Sequence, residues 1–133
     1  MSNRKAEILA ILSTLHAAFG RRDMDTIAAY FADDVRFVTP DGELLGKAAR
    51  IADEQRIFDT FDDTRVEVTS VVVDGDEAIE FCILHGVFKG APSVRIHMRY
   101  VVHYQFAASV IASQEVCFDR ETLRQQLGLP EAA

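Results

Sequence analysis

The second half of the chain alternates apolar and polar residues over long stretches, and this pattern limits the possible folds more than any other feature. The stretches cover residues 65–73, 77–89, 94–107 and 110–118. A side-chain period of two is typical of β-strands that bury one face. Turn sequences at residues 74–76 (Asp-Gly-Asp) and 90–92 (Gly-Ala-Pro) separate the first three stretches. The sequence therefore predicts a mostly antiparallel sheet of consecutive strands.

The first half of the chain shows the spacing of helices instead. Its first apolar stripe consists of Ile8, Ile11, Leu12, Leu15 and Phe19. This stripe predicts a helix from about residue 4 to residue 19, which ends at Gly20. Asp23 is suited to cap a second helix, and we expect the pair Asp33-Asp34 to close it.

The remaining segments complete the predicted order of elements. A strand at 35–39 and a turn at 40–43 precede a third helix, which follows Gly46 and ends near Phe61 at the polar cluster 62–64. A last helix at 120–127 has Asp119 as its cap and stops at Gly128 and Pro130.

The predicted order is α-α-β-α-β-β-β-β-α, which is typical of an α+β fold. We expect one domain over residues 1–133, a cone-like α+β barrel that encloses a pocket. Three N-terminal helices would pack on a strongly curved, mostly antiparallel sheet, and a short helix would follow at the C-terminal end.

Composition excludes several classes of function. The net charge is -7 and the pI is near 5.0, so the chain repels phosphate backbones, and no basic cluster exceeds a pair such as Arg21-Arg22. The longest apolar runs are too short to cross a bilayer, and the N-terminus lacks the pattern of a signal peptide. We therefore expect a cytoplasmic protein without nucleic-acid or membrane partners.

Cys82 and Cys117 are far apart in sequence and lack the spacing of a metal site or a redox pair. We expect two buried, inert thiols, with a disulfide between neighbouring strands as the alternative. The aspartate pairs have the spacing of turns and caps, not of a calcium loop. The sequence thus predicts no metal and no organic cofactor.

Specific residue runs resemble a known family. The run from Phe19-Gly20-Arg21-Arg22-Asp23 to Tyr30-Phe31-Ala32-Asp33-Asp34-Val35 resembles the opening of the SnoaL-like and ketosteroid-isomerase-like families within the nuclear transport factor 2-like superfamily. Gly46 and the tail from Phe118 to Leu129 are similar to the same families. The resemblance covers nearly the whole chain and implies the cone-like fold. Since the superfamily includes enzymes and binding modules, it does not fix the activity.

The resemblance also implies where catalytic groups would lie. The general base of ketosteroid isomerases corresponds to Thr39, and their two oxyanion donors correspond to Leu15 and Val102. These side chains cannot remove a carbon-bound proton or donate to an enolate, which argues against steroid isomerisation. The acidic residue of SnoaL-like cyclases corresponds to Val116, and Glu115 would replace it only after a register shift of one residue. The Arg/Asp group of limonene epoxide hydrolases has no match.

The alternation of the strands predicts which side chains line the pocket. On the strand 94–107, the inward set is Ile96, Met98, Tyr100, Val102 and Tyr104. The predicted ligand-binding residues are Tyr100, Tyr104, His85, Gln114, Met98 and Phe118. The alternative for the two tyrosines is that their rings only complete the core.

The catalytic candidates lie on the strand 77–89. If its bulky apolar side chains Ile79, Phe81 and Ile83 face inward, His85 ends that inward run and could act as a general base. The alternative is a structural histidine that is satisfied by a backbone carbonyl. With the opposite register Glu80 would lie inside and become the better acid–base candidate.

The opposite face of the sheet is predicted to carry polar residues, namely His97, Arg99, His103, Gln105 and Glu115. The resemblance implies a homodimer through this outer sheet face. Three hypotheses follow for function. The first is a protein that binds a small, largely apolar metabolite in its pocket. The second is a cofactor-free isomerase, cyclase or dehydratase that uses His85 or Glu80 with Tyr100. The third is a dimeric association module.

Overall fold

The computed structural model describes residues 3–129 and contains four helices and six strands in that range. In chain order these are α1 (Arg4–Arg21), α2 (Met24–Ala29), β1 (Phe31–Thr39), β2 (Gly42–Leu45), α3 (Lys47–Thr60), β3 (Phe61–Asp74), β4 (Glu77–Phe88), β5 (Arg95–Ala107), β6 (Val110–Phe118) and α4 (Arg120–Leu127). The prediction that Pro130 stops the last helix lies outside the described residues.

The strands form one sheet in the order β2-β1-β6-β5-β4-β3. The pair β1 and β6 is parallel, and the other neighbours are antiparallel. The α+β fold with a curved sheet is confirmed. The strand β2 was not predicted, because its four residues are all exposed and carry no alternation. No helix among residues 3–129 is long and apolar enough to span a membrane.

The C-terminal end of helix α1 differs from the prediction. Helix α1 continues past Gly20, and Arg22 takes the left-handed conformation after it, with φ 58°. The guanidinium of Arg22 donates to the backbone carbonyls of Phe58 and Phe61 and stacks on the Phe58 ring, 4.9 Å from its centroid. These contacts offset the cost of a positive φ at a residue other than glycine. The helix end is therefore fixed by a long-range contact.

The capping prediction for α2 is confirmed, because the Asp23 carboxylate accepts from Thr26 N at 3.2 Å and from Thr26 Oγ1 at 2.6 Å. The aspartate pairs, however, do not end helices. Asp33-Asp34 lies within β1, and Asp62-Asp63 lies within β3. Both pairs coincide with irregular register against the neighbouring strand. They mark β-bulges, where exposed polar residues interrupt the ladder.

The core forms where α1 packs on the inner face of the sheet. The predicted stripe of α1 is buried, with Ile8 and Leu12 among the most enclosed side chains. The sheet contributes Ile96, Val102 and Ile111, which are also enclosed. Burial of one such side chain contributes about 1.5–3 kcal/mol. The predicted inward set of β5 is thus confirmed.

Of the two registers considered for β4, the structure has the one that places Glu80 inside, and not the one that places Ile79, Phe81 and Ile83 inside. Glu80 is 2% exposed, whereas Ile79 and Phe81 are 39% and 45% exposed on the outer face. Directly paired residues of neighbouring strands share a face. Glu80 pairs with the buried Val102, so the even-numbered residues of β4 face inward. The larger apolar side chains of this strand lie on the outside, which is why apolarity alone gave the opposite face.

The strand β3 also departs from simple alternation. Val68 pairs with Cys82 and Ser70 pairs with Phe81, so Thr69 is the extra residue of a bulge, and its hydroxyl donates to the Phe81 carbonyl at 3.0 Å. After the bulge Val71 pairs with the buried Glu80. A single alternating face through Val66, Val68, Ser70 and Val72 is therefore interrupted at Thr69.

A buried hydroxyl in β3 gives a stability prediction. Thr64 is buried, and its Oγ1 has no hydrogen-bond partner among residues 3–129. Because a buried polar group without a partner is destabilising, Thr64→Val should raise the free energy of unfolding by about 1 kcal/mol in urea denaturation. Thr69→Val removes a hydroxyl that does donate and should not stabilise. A Thr64→Val protein less stable than the wild type would contradict this account.

Candidate functional site

A cavity of about 300 Å³ lies between the helices and the inner face of the sheet. Its apolar wall includes Leu15, Phe19, Ile96, Met98, Val116 and Phe118. Six residues were predicted to bind a ligand. Five of them line the cavity, namely Tyr100, Tyr104, Gln114, Met98 and Phe118.

His85 is the exception and lies on the outer face of the sheet. Its Nε2 is 2.8 Å from Glu67 Oε1, and its Nδ1 is 2.7 Å from His97 Nδ1. The prediction of His85 as a pocket residue followed from the wrong face of β4 and is corrected here. Glu115 is also exposed and directed outward, so the register shift that would bring it inside does not occur.

The positions of the related catalytic groups hold side chains that cannot replace them. Leu15, Thr39 and Val116 line the cavity, and Val102 is buried in the core. The cavity thus lies where the resemblance implied, but its wall does not carry those acid–base residues.

A different acid–base pair lies at the cavity, where His16 is part of the wall and pairs with the buried Glu80. His16 Nε2 is 2.8 Å and 3.0 Å from the two carboxylate oxygens of Glu80. With an ionised carboxylate, Nε2–H is the donor and Nδ1 is left as an acceptor. Nδ1 has no hydrogen-bond partner among residues 3–129. His16 follows Leu12 by four residues, so the helical stripe itself contained a signal that sequence reasoning missed.

Two tyrosines and a thiol surround this pair. Burial raises the pKa of Tyr104 well above its usual value, and the charge of Glu80 adds to this effect. Burial likewise raises the pKa of Tyr100, with a further contribution from the neighbouring Cys82. Both hydroxyls therefore stay protonated and can donate hydrogen bonds.

The cysteines do not form a disulfide, and they differ in exposure. Cys82 is buried, and burial raises the pKa of its thiol to about 12. Cys117 is exposed, so the prediction that both thiols are buried is wrong for this residue. Its side chain projects from β6 on the outer face, as does that of its partner in register, Val101.

Helix α3 contributes a second polar group to the cavity. Arg50 Nε donates to Gln114 Oε1 at 2.9 Å, and Arg50 Nη1 donates to Glu54 Oε2 at 2.7 Å. The guanidinium carbon lies 4.7 Å and 4.3 Å from the ring centroids of Phe31 and Phe37. Arg50 and Glu54 are both buried. Sequence reasoning missed them, although their spacing of four residues, continued by Phe58, marks the inward stripe of α3.

The His16–Glu80 pair and the neighbouring Cys82 together offer three donor atoms that could hold a metal ion. His16, Glu80 and Cys82 offer ligand atoms that lie within 4.8 Å of one another. Nitrogen, oxygen and sulfur ligands of this kind suit zinc. In the structure, however, the imidazole and the carboxylate pair with each other. The expectation of a site without metal stays a prediction.

Solved structures that resemble the chain share its fold. They include a protein with a ketosteroid isomerase-like fold from Catenulispora acidiphila DSM 44928 in complex with trimethylamine, at 20% identity and a TM-score of 0.81, covering 90% of this chain and 93% of that one. AclR from Streptomyces galilaeus matches at 21% identity and a TM-score of 0.83, covering 94% and 98%. An LEH-like epoxide hydrolase of M. tuberculosis matches at 15% identity and 0.78, covering 92% and 90%.

At these identities the structures establish the fold alone. No curated protein matches the chain. The family model of the SnoaL-like domain matches residues 12–114, which include most of the residues that line the cavity. The chain therefore belongs to the SnoaL-like domain family.

Proposed function

We propose that the cavity binds a small, largely apolar carbonyl compound and that His16, positioned by Glu80, transfers a proton to or from it. One observation carries this proposal, namely an imidazole in the wall of an apolar cavity that pairs with a buried carboxylate behind it. Imidazole is the side chain most often used for proton transfer in enzymes. Glu80 is the group that orients this base, as a carboxylate does in many catalytic sites.

The reaction class follows from the groups present. A base at Nδ1 of His16 can accept a proton from the carbon next to a carbonyl, and the electron pair left behind moves to the carbonyl oxygen as an enolate. In an unsaturated ketone, return of the proton to the far carbon of the dienolate shifts the double bond, which is isomerisation. Attack of the enolate carbon on a second carbonyl of the ligand, whose oxygen then takes the proton, gives cyclisation. Loss of a hydroxyl from the neighbouring carbon, which leaves as water with the proton from His16, gives dehydration. His16 thus takes the place that sequence reasoning gave to His85, and Glu80 remains in the proposal.

Deuterium exchange on a simple ketone tests this proposal. The probe is 2-tetralone, a bicyclic ketone with acidic protons beside its carbonyl. In deuterated buffer the protein should accelerate the loss of those proton signals in NMR spectra, relative to buffer and to serum albumin at the same concentration. A rate equal to that of both controls would contradict proton transfer in this cavity.

The apolar wall also supports a second candidate function, binding without chemistry. This candidate requires that 2-tetralone stabilises the protein in a thermal shift assay while exchange stays at the buffer rate. The two functions thus differ in one measurable property, because ligand binding is common to both and only the proton transfer needs His16.

We also propose a homodimer through the outer sheet face. Val72, Ile79 and Phe81 are exposed together there, and the charged residues Arg99 and Glu115 lie on the same face. An apolar centre with both charge signs around it suits an interface between two identical copies.

The cytoplasmic location that composition indicates stays a prediction.

The charge introduced by Phe81→Asp should disrupt this dimer, because an unpaired carboxylate in an apolar interface is strongly unfavourable. Sedimentation velocity at micromolar concentration should then show a monomer, while the wild type sediments as a dimer. Leu45→Asp, which alters an even more exposed apolar residue in β2, is the control and should leave the dimer intact. A wild-type monomer, or a dimeric Phe81→Asp protein, would remove this face from the proposal.

A further inference from the structure

The guanidinium of Arg50 is held rigidly at the cavity wall. Two aromatic rings, Phe31 and Phe37, lie against it, and Gln114 and Glu54 accept from two of its nitrogens. A planar group fixed on its faces and along one edge has little freedom to turn. The direction of its remaining N–H groups is therefore set by the fold.

Those remaining donors are open to the cavity. Nη2 of Arg50 has no partner among residues 3–129. In that range, the fully buried side-chain polar atom without a partner is Thr64 Oγ1, so Nη2 is not sealed inside protein. Arg50 is part of the cavity wall, so an accessible Nη2 is within reach of a ligand in the cavity. A buried cation with unused donors is a site for an oxygen acceptor.

The surrounding charges select the kind of acceptor. Glu54 already neutralises Arg50, and Glu80 adds a further negative charge nearer His16. A ligand carboxylate would meet two protein carboxylates against one guanidinium. An uncharged carbonyl oxygen accepts the same hydrogen bond without that repulsion.

His16, Arg50 and Tyr100 line the same cavity. The carboxylates of both Glu80 and Glu54 raise the pKa of Tyr100, which places its hydroxyl within the influence of each. One ligand can thus place its oxygen near Arg50 and its acidic carbon near His16. A proton that moves from the ligand to His16 stays inside the cavity, so the net charge of the cavity does not change.

We propose that Arg50 Nη2 forms a subsite for the oxygen of an uncharged ketone or ester, which fixes how the substrate enters the cavity. This inference rests on the proposed function and names its substrate class. It makes Arg50 a residue that contacts the substrate and stabilises negative charge that develops on its oxygen.

Three matched probes test the subsite by NMR titration. They are 2-tetralone, the hydrocarbon tetralin, and tetralin-2-carboxylate, which share one bicyclic frame. The ketone should bind about 10-fold more tightly than tetralin, since a hydrogen bond to a charged donor is among the stronger ones. The carboxylate should bind more weakly than the ketone. The side-chain 15N–1H signals of Arg50 should shift with the ketone and not with tetralin.

Two variants connect the preference to Arg50. Glu54→Gln keeps the guanidinium and should keep the preference for the ketone. The double variant Arg50→Met/Glu54→Leu removes both charges together and should bind ketone and hydrocarbon equally.

The inference would be overturned by equal binding of ketone and tetralin in the wild type, by tighter binding of the carboxylate, by the absence of binding by all three probes, or by a preference that survives in a folded double variant. If that double variant does not fold, the wild-type Arg50 signals decide. The outcome is separate from that of the proposed function, because a ketone preference without deuterium exchange would support the subsite and contradict proton transfer.

Discussion

Replacement of Glu54 by leucine should lower the free energy of unfolding by about 3–5 kcal/mol, measured by urea denaturation with circular dichroism. The reason is the burial of both partners of the Arg50–Glu54 ion pair. Loss of the carboxylate leaves a guanidinium in an apolar wall with one hydrogen-bonded partner, Gln114. An uncompensated buried charge costs far more than the loss of an exposed ion pair.

The double variant Arg50→Met/Glu54→Leu is the matched control. It removes both charges and replaces them with apolar side chains of similar size, so its stability should lie within about 2 kcal/mol of the wild type. Together with the single variant Arg50→Met, these proteins form a double-mutant cycle whose coupling energy measures the ion pair itself. A Glu54→Leu protein that loses less than about 1 kcal/mol would show that this pair is exposed to solvent, contrary to the structure.

Substitution of His16 by asparagine should lower the rate of deuterium exchange on 2-tetralone by about 10²–10⁴-fold, the usual contribution of a general base. Asparagine can still donate a hydrogen bond to Glu80 but cannot accept a proton. Glu80→Gln should give a smaller loss, since the imidazole remains while its orientation weakens. Unchanged melting temperatures would establish that these variants are folded.

His85→Asn is the control for this substitution, because it makes the same change in a histidine on the outer sheet face. It should leave the exchange rate unchanged. If His16→Asn and wild type exchange at the same rate, or if His85→Asn alone reduces the rate, proton transfer does not occur at the His16–Glu80 pair.

Much of the fold was predictable from periodicity. The stripe of α1 and the face of β5 followed from apolar spacing, and the bounds of β6 and α4 agree with the prediction at both ends. Strand β5 alternates large apolar residues with mostly polar ones, so one face is plainly the buried one. In β4 both faces are apolar, and only its pairing with β5 shows that Glu80 is inside.

The polar residues of the site were harder to predict for the same physical reason. Arg50, Glu54 and His16 occupy inward positions on helices, where apolar side chains are the usual occupants. Each is satisfied by a partner far away in sequence or on the next helical turn, and such partners appear only in three dimensions. A charged or imidazole side chain within an otherwise apolar stripe was the available signal.

The most direct test of the His16–Glu80 pair is a long-range 1H–15N NMR spectrum of the histidine side chains, recorded with and without 2-tetralone. We expect His16 to carry its proton on Nε2 and to show an unprotonated Nδ1 whose signal moves when the ketone is added. A proton on Nδ1, or a ketone that binds without any change at either nitrogen of His16, would contradict the central claim.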